Sequence, residues 1–241
     1  MTPESATPVA LVTGASKGLG LALTRALAAA GWRVVVDARH ADVLRRAVDG
    51  LAGVTAVPGD IAEPAHRADL AAAVAALGRL DLLVHNASSL TGSDGPLPAL
   101  ADHPVDDLAR AYAVNVLAPL ALTQLLLPDL RASRGTVIAI SSDAAVEPYP
   151  GWGGYGSSKA ALDQLAAVLG AENPELHVYA VDPGDMNTAL HQQAFPGEDI
   201  SDRPQPQAVV PALLRLVRQE LPSGRHRATD LLAAGRSTVD A

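Results

Sequence analysis

Short runs of β-branched and aliphatic residues alternate along the chain with Ala- and Leu-rich segments of helical length. The runs predict six strands, with the sequences VALVT, RVVVD, VTAV, LDLLVH, GTVIAIS and LHVYAVD. The segments between them predict helices over residues 18–30, 41–49, 64–77, 104–130 and 207–221. A further helix is predicted to begin at Tyr155. Near-continuous apolar strands that alternate with helices are typical of a parallel sheet covered on both faces. The pattern therefore predicts a doubly wound α/β fold, because right-handed crossovers leave few other topologies.

No long Pro/Gly/Ser linker divides the 241 residues, and no internal repeat is visible beyond the alternation of strands and helices. We therefore expect a single domain over residues 1–241. The longest irregular segment, residues 191–206, is rich in proline and polar residues. Because loops of that length in a compact fold are usually functional, we expect a substrate loop or lid over about residues 185–206.

The formal net charge of −8 argues against nucleic acid or an anionic membrane as a partner. The chain has no cysteine, which excludes disulfides and thiol catalysis. Its seven histidines are scattered without ligand-like spacing, so we expect no metal site. The first residues contain neither a basic leader nor a long apolar run. We therefore expect a cytoplasmic protein without a signal peptide or a membrane anchor.

Three glycines, Gly14, Gly18 and Gly20, lie where the first strand meets the first helix. Glycine permits a tight turn and close backbone approach, and a helix N-terminus offers free N–H groups to a phosphate. The GxxxGxG spacing also fits an ordinary strand–helix turn, and the absence of a GK[ST] ending disfavours a nucleoside triphosphatase. Because this turn is the first of a doubly wound sheet, it favours dinucleotide binding, with Lys17 as a cation beside the phosphates.

Tyr155 and Lys159 are one helical turn apart and share a helix face. A free tyrosine titrates near ~10, and a nearby ammonium stabilises the phenolate and lowers that pKa. The pair is therefore a candidate for acid–base catalysis, although a Tyr/Lys pair on a solvated helix face is also common. Of the 18 Lys and Arg residues only Lys17 and Lys159 are lysine, which favours a functional interpretation of both.

Taken in order, these motifs resemble those of the short-chain dehydrogenases/reductases. The resemblance extends from Val9 to Thr188 and is looser beyond that point. It includes the TGxxxGxG turn, Asp60 in GDI, HNAS at 85–88, Asn115 in VNVLAP, ISS at 140–142, Tyr155 with Lys159, and PGDMNT at 183–188. Each motif alone is a weak signal, whereas their order and spacing together are specific.

The resemblance implies a Rossmann-like fold and hydride transfer between a nicotinamide and a carbonyl or alcohol carbon of a small, mostly apolar substrate. It implies that Tyr155 supplies the proton and that Ser142 and Tyr155 bind the carbonyl oxygen. Lys159 would lower the pKa of the tyrosine and hold the nicotinamide ribose, and Asn115 would position a water that connects Lys159 to bulk solvent. The implied cofactor contacts are Gly14, Ser16, Lys17, Gly18, Leu19, Gly20, Arg39, Asp60, Ile61, Asn86, Ala87, Tyr155, Lys159, Pro183, Gly184 and Thr188.

The chain departs from the family pattern in two places. HNAS stands where the family usually has NNAG, so we expect His85 to be a packed strand-end residue and Ser88 to crowd the nicotinamide ribose. The C-terminus lacks the Gly-Gly ending common among acyl-carrier ketoreductases, which disfavours that substrate. A non-catalytic NADP-binding redox sensor on the same fold is the alternative function, but a complete Ser/Tyr/Lys/Asn set disfavours it.

The end of the second strand, GWRVVVDARH, bears on the choice between NAD and NADP. In the NAD users that the chain resembles, the acid stands seven residues after the glycine matching Gly31, and here that place is Ala38. Asp37 lies one residue earlier and, in an alternating strand, points to the other face. Arg39 matches the basic position of NADP users, so we expect NADP, whereas a one-residue loop adjustment would restore Asp37 and favour NAD.

Two further expectations concern the pocket and the assembly. The side chains expected to border the pocket are Tyr149, Trp152, Met186, His191 and Phe195. The helix after Tyr155 and the long helix through VNVLAPLALTQLLL are apolar over most of their circumference, so both need burial on more than one side. We expect a homodimer or homotetramer through these helices, the alternative being burial beneath the Pro-rich segment.

Overall fold

The computed structural model describes residues 7–90, 97–219 and 221–236. In this part of the chain, seven strands form one parallel sheet in the order β3-β2-β1-β4-β5-β6-β7. The strands are β1 (Val9–Val12), β2 (Arg33–Ala38), β3 (Val54–Pro58), β4 (Leu82–His85), β5 (Thr136–Ile140), β6 (His177–Asp182) and β7 (Gly224–Arg227). The sheet carries helices on both faces, which confirms the doubly wound, Rossmann-like fold in a single domain.

The helices follow the predicted alternation with two differences. They are α1 (Gly18–Ala29), α2 (Ala41–Ala47), α3 (Pro64–Ala75), α4 (Val105–Tyr112), α5 (Ala118–Ser133), α6 (Gly153–Glu172), α7 (Ala189–Ala194), α8 (Val210–Gln219) and α9 (Ala228–Arg236). The single helix predicted over 104–130 is α4 and α5, joined by a π-helical turn at Ala113–Leu117. The segment predicted to be irregular contains most of α7, and β7 and α9 follow the last predicted helix.

The alternation of side chains along each strand builds two apolar cores. In β1, Ala10 and Val12 face the core that α1 and α8 cover, whereas Val9 and Leu11 face the core beneath α3, α5 and α6. Both cores are rich in fully buried leucines, each of which contributes about 1.5–3 kcal/mol through removal of apolar surface from water. These cores hold the strands rigidly, so the polar residues at the strand ends have defined positions.

The stretch from Val105 to Ser133 is long and apolar enough to cross a membrane by length and composition alone. Core helices of globular proteins pass the same test, and here Leu122, Leu126 and Leu130 are buried against the sheet. The role of this stretch in the fold is to cover β4 and β5, whose carboxyl ends meet those of β1 and β6 at one edge. Strand order reverses between β1 and β4, the place where doubly wound sheets bind ligands.

Candidate active site

The glycine turn between β1 and α1 packs tightly against the end of β4. Gly14 has a φ of +68°, and a Cβ built there would lie 2.7 Å from Ala87 Cα. A Cβ at Gly20 would lie 2.5 Å from Asn86 Nδ2. These distances are shorter than van der Waals contact, so glycine at both positions is required for the turn to approach β4.

Asn86 fastens this turn to the sheet. Its Nδ2 donates to Thr13 O at 2.8 Å and to Gly14 O at 3.1 Å. In return, Thr13 Oγ1 accepts from the backbone N–H groups of Asn86 and Ala87, each at 3.0 Å. Asn86 lies in the predicted cofactor site, but its amide N–H groups are directed at the glycine turn, so the side chain acts by fixing the shape of that turn.

A cavity of about 680 Å³ runs from the glycine turn to the start of α6. Its lining includes almost every predicted cofactor residue, namely Gly14, Ser16, Lys17, Gly18, Leu19, Arg39, Asp60, Ile61, Asn86, Ala87, Tyr155, Lys159, Pro183, Gly184 and Thr188. Gly20 is buried and outside the lining, where it serves the packing of the turn.

The first turn of α1 opens on this cavity, and its N-cap residue, Lys17, makes no side-chain capping bond. The N–H groups of that turn can therefore bind an anion, and the positive end of the helix dipole favours one. The glycine turn, the uncapped helix and the cation of Lys17 together fit the diphosphate of a dinucleotide.

The predicted catalytic side chains converge at the other end of the cavity. Tyr155 and Lys159 lie in the first turns of α6, with exposed fractions of 6% and 1%. Lys159 Nζ donates to Ile140 O at 2.7 Å and lies 5.5 Å from the centroid of the Tyr155 ring. Ser142, just beyond β5, donates its hydroxyl to Asp143 Oδ1 at 3.0 Å and lines the cavity. Asn115 is fully buried behind the cavity, in the π-helical turn.

Burial controls the titration of the tyrosine–lysine pair. It raises the pKa of Tyr155 well above the ordinary value, while the Ser88 hydroxyl lowers that pKa by hydrogen bonding. The lowered pKa that was expected for the tyrosine is therefore not seen in the cofactor-free protein, where burial and the charges of Asp143 and Asp182 raise this pKa. Burial also lowers the pKa of Lys159 to about 8, an effect that the carboxylate of Asp163 opposes.

Asn115 is linked to Tyr155 through Ser88. Asn115 Oδ1 accepts from Ser88 Oγ at 3.2 Å and from Ser89 N at 2.9 Å, while its Nδ2 donates to Ser89 O and Ser158 Oγ, each at 2.9 Å. Among the described residues, the Asn115 side chain makes no direct hydrogen bond to Lys159. Ser88, which was expected to crowd the nicotinamide ribose, lines the cavity, and its hydroxyl bridges the tyrosine and the asparagine.

The neighbouring His85 is a packed strand-end residue, as expected. It is 4% exposed, and its Nε2 lies 2.8 Å from Thr123 Oγ1. Burial and the charge of Lys159 lower its pKa to about 3, so the ring is neutral at physiological pH. Its role is structural support for the end of β4.

Sequence reasoning missed a network behind Ser142. Arg225, on β7, donates from Nη2 to Ser142 O at 3.0 Å and from Nε to Asp163 Oδ2 at 3.0 Å. Its Nη2 also lies 3.7 Å from Asp182 Oδ2. The network ties the end of β5 to α6 and thereby fixes Ser142 relative to Tyr155. No sequence signal could reveal it, since β7 itself was not predicted.

Aromatic side chains form one wall of the cavity near Tyr155. The Trp152 ring centroid lies 5.7 Å from that of Tyr155 and 5.8 Å from that of Phe195, and His191 lies 4.8 Å from Phe195. The chain has only seven Phe, Trp and Tyr residues. Four of them line the cavity: Tyr149, Trp152, Tyr155 and Phe195. Met186 and His191 line it as well, as expected.

Comparison with known proteins supplies an independent observation. A family model described as short chain dehydrogenase matches residues 8–199. Sepiapterin reductase of Mus musculus is 35% identical over 207 residues, covering 77% of each chain. Benzil reductase ((S)-benzoin forming) of Saccharomyces cerevisiae is 29% identical over 220 residues, covering 88% of this chain and 81% of that protein. The crystal structure of a short chain dehydrogenase from Shigella flexneri 2a, complexed with NADP, is 27% identical with a TM-score of 0.85, covering 92% of this chain and 97% of that one.

Proposed function

This chain belongs to the short chain dehydrogenase family, and we propose that, within this family of nicotinamide-dependent oxidoreductases, it is an NADP(H)-dependent carbonyl reductase. The observation that carries the proposal is the buried phenol of Tyr155 at the end of the cavity, beside Lys159 and Ser142. The phenol of Tyr155 holds its proton at neutral pH, and burial raises its pKa further, so it would donate this proton only to an oxygen that becomes strongly basic, as a carbonyl oxygen does when hydride is added to its carbon.

Each of these side chains has a role in reduction of a ketone. A bound nicotinamide would supply hydride to the carbonyl carbon. Tyr155 donates its proton to the carbonyl oxygen, and the Ser142 hydroxyl hydrogen-bonds the same oxygen. The phenolate that remains is stabilised by the ammonium of Lys159 and by the Ser88 hydroxyl, whose single proton turns from Asn115 Oδ1 to the phenolate oxygen. The same groups run in reverse for alcohol oxidation, in which the phenolate accepts the proton.

The choice of NADP over NAD is supported by the charges at the adenosine end of the cavity. Arg39 and Lys17 are exposed there, where each can approach a 2′-phosphate. The competing acid, Asp37, is 1% exposed and accepts a hydrogen bond from Gly14 N at 2.7 Å, so it faces the glycine turn. The relative from Shigella flexneri, which is described as complexed with NADP, supports the same assignment.

The aromatic wall supports a substrate class, namely ketones that carry an aromatic ring next to the reacting carbonyl. Trp152 and Phe195 offer ring faces and edges beside Tyr155, against which a substrate ring packs favourably. Leu90 and Leu190 add apolar surface to the cavity. Benzil reductase, a relative of this chain, is named for such a ketone, in keeping with this class.

We also propose that the protein is a homodimer or homotetramer. Apolar side chains remain exposed at the end of the π-helical turn, on α5 and on α6: Leu117 is 59% exposed, Leu125 48% and Val168 41%. Such a surface is usually covered in the native assembly, and the same side of another copy of this chain offers matching apolar surface. The segment over 185–206, which contributes Met186 and Phe195 to the cavity, is proposed as the substrate lid.

The test is consumption of NADPH and of NADH by the purified protein, followed by absorbance, with benzil and with 3,4-hexanedione. The two are 1,2-diketones that differ in their aromatic and aliphatic ends, so the pair isolates the contribution of the aromatic wall. We expect turnover with NADPH and higher kcat/KM for benzil. Binding of NADPH without turnover against a wide panel of ketones, aldehydes and quinones would indicate the redox sensor instead.

A further inference from the structure

The carboxylate of Asp37, at the end of β2, is held from two sides. Its Oδ1 accepts from Gly14 N at 2.7 Å, and its Oδ2 lies 3.2 Å from Nε2 of His66. His66 lies in the first turn of α3 and is 6% exposed, and Asp37 is 1% exposed. Both carboxylate oxygens therefore have a protein partner, one from the glycine turn and one from the imidazole ring.

The backbone beside this pair leaves room for the imidazole ring. A Cβ built at Gly59 would lie 2.2 Å from Nδ1 of His66, so only glycine at that position lets the ring reach Asp37. Gly59 N in turn donates to Ala38 O at 3.1 Å, which fixes the loop after β3 to the end of β2. The position of His66 is thus set by the fold and not by a freely rotating surface side chain.

This arrangement bears on which dinucleotide binds. A carboxylate at the end of the second strand of such folds selects NAD by accepting hydrogen bonds from the adenosine ribose hydroxyls, and it repels the 2′-phosphate of NADP. Asp37 belongs to the cavity lining, as Arg39 does. The carboxylate borders this cavity but is directed at Gly14 N and His66, so a rotation released by loss of the His66 contact is needed to bring it to the ribose.

We propose that His66 is a residue that determines cofactor specificity, because it holds Asp37 against the glycine turn and away from the adenosine ribose. The inference rests on the proposed NADP preference and gives its cause. It assigns to His66 a positioning role: the ring contacts Asp37, and Asp37 in turn is the group kept from the cofactor. Arg39 and Lys17 then determine the charge that the 2′-phosphate meets.

The test measures dissociation constants of NADPH and NADH, by fluorescence titration of the cofactor-free protein, in four forms: wild type, His66→Leu, Asp37→Asn and the double variant. In His66→Leu, Asp37 loses one partner and can turn to the ribose, so we expect the ratio of the NADH to the NADPH constant to fall by about tenfold. Asp37→Asn alone should leave the ratio within about threefold of wild type, and in the double variant the fall should disappear. His66→Gln, which keeps an N–H donor, should keep the wild-type ratio.

Failure of this inference is distinguishable from failure of the proposed function. A wild type that prefers NADPH and a folded His66→Leu with an unchanged ratio would contradict the role of His66 alone. The role of His66 would also be contradicted if the ratio of the NADH to the NADPH dissociation constant fell in the double variant as it does in His66→Leu. If His66→Leu does not fold, Asp37→Asn still tests the inference. NADH binding weakened by more than about threefold in Asp37→Asn would mean that Asp37 already contacts the ribose in the wild type, which would contradict the inference. A wild type that binds NADH more tightly would overturn both proposals.

Discussion

Lys159 is a buried cation, and its replacement by methionine should change how the stability of the protein depends on pH. The side chain is 1% exposed, and burial lowers its pKa from 10.5 to about 8 against the opposing effect of Asp163. Methionine is unbranched, apolar and similar in length. Lys159→Met therefore removes the titration and keeps most of the packing, although Ile140 O loses the hydrogen bond that it accepts from Nζ.

The sign of the effect follows from the lowered pKa. Between pH 8 and pH 10.5, the unfolded chain binds a proton at Lys159 that the folded protein has released. The free energy of unfolding of the cofactor-free wild type therefore rises with pH across this window. The full difference in pKa corresponds to about 3 kcal/mol, of which about 2 kcal/mol is gained between about pH 7 and pH 9.5. Below pH 8 the buried ammonium remains charged and this gain is absent.

The assay is urea unfolding, followed by circular dichroism, at both ends of that interval. We expect the free energy of unfolding of wild type, relative to Lys159→Met, to increase by about 2 kcal/mol from about pH 7 to pH 9.5. The matched control is Lys17→Met, which replaces the other lysine of the chain at an exposed position and should follow wild type. Titrating groups that do not feel the charge of Lys159 cancel in the differences, and His85, which does feel it, titrates near pH 3, well below the interval.

The refuting result is a difference between wild type and Lys159→Met that stays constant within about 0.5 kcal/mol between the two pH values. That outcome would mean that water or a counter-ion solvates the ammonium in the folded protein as well as it does in the unfolded chain. A difference of the opposite sign would mean that the folded site raises the pKa of Lys159. Either outcome would also remove the argument that burial sets the titration of this site.

Three further predictions concern catalysis and assembly. Tyr155→Phe should lower kcat about 10²- to 10⁴-fold while the dissociation constant of NADPH changes little, and near-normal kcat in steady-state assays would contradict the proton donor. Ser88→Gly removes the hydrogen bond that lowers the pKa of Tyr155, so the pH profile of alcohol oxidation should shift to higher pH, and an unshifted profile would contradict the link. Leu125→Glu places a charge on the exposed apolar surface, so this variant should be a monomer by light scattering. The control Val43→Glu, on α2 at 42% exposure, should have the same molecular mass in solution as wild type. A wild type that is already monomeric would contradict the proposed assembly.

The strands and helices with a strong apolar pattern could be predicted from the sequence. The elements that could not be predicted have no such pattern. Strands such as Val34–Val36 are buried on both faces, so they read as continuous apolar runs. β7 has the sequence GRHR and alternates between exposed and half-buried side chains. Its place in the sheet depends on backbone pairing with β6, which leaves no trace in side-chain hydrophobicity. The π-helical turn at Asn115 is likewise invisible in a sequence that is helical on both sides.

Site residues were predictable where the chemistry is local in sequence. Tyr155 and Lys159 share a helix face because of their spacing alone. Contacts between distant segments were not predictable: 29 residues separate Asp37 from His66, and 27 separate Ser88 from Asn115. The direction of the Tyr155 pKa was also beyond sequence reasoning, because it depends on how completely the fold excludes water from the phenol.

The use of lysine in a chain that otherwise uses arginine has a physical explanation at position 159. An arginine keeps its proton at any pH that a protein survives, so burial there would leave a permanent charge in an apolar setting. Burial instead brings the pKa of Lys159 to about 8, so this side chain can exchange a proton near physiological pH. Its ammonium lies 5.5 Å from the ring of Tyr155, close enough to stabilise a phenolate as the tyrosine gives up its proton. A group that can both hold charge and release it suits a site whose neighbouring phenol must lose a proton and regain it in every cycle.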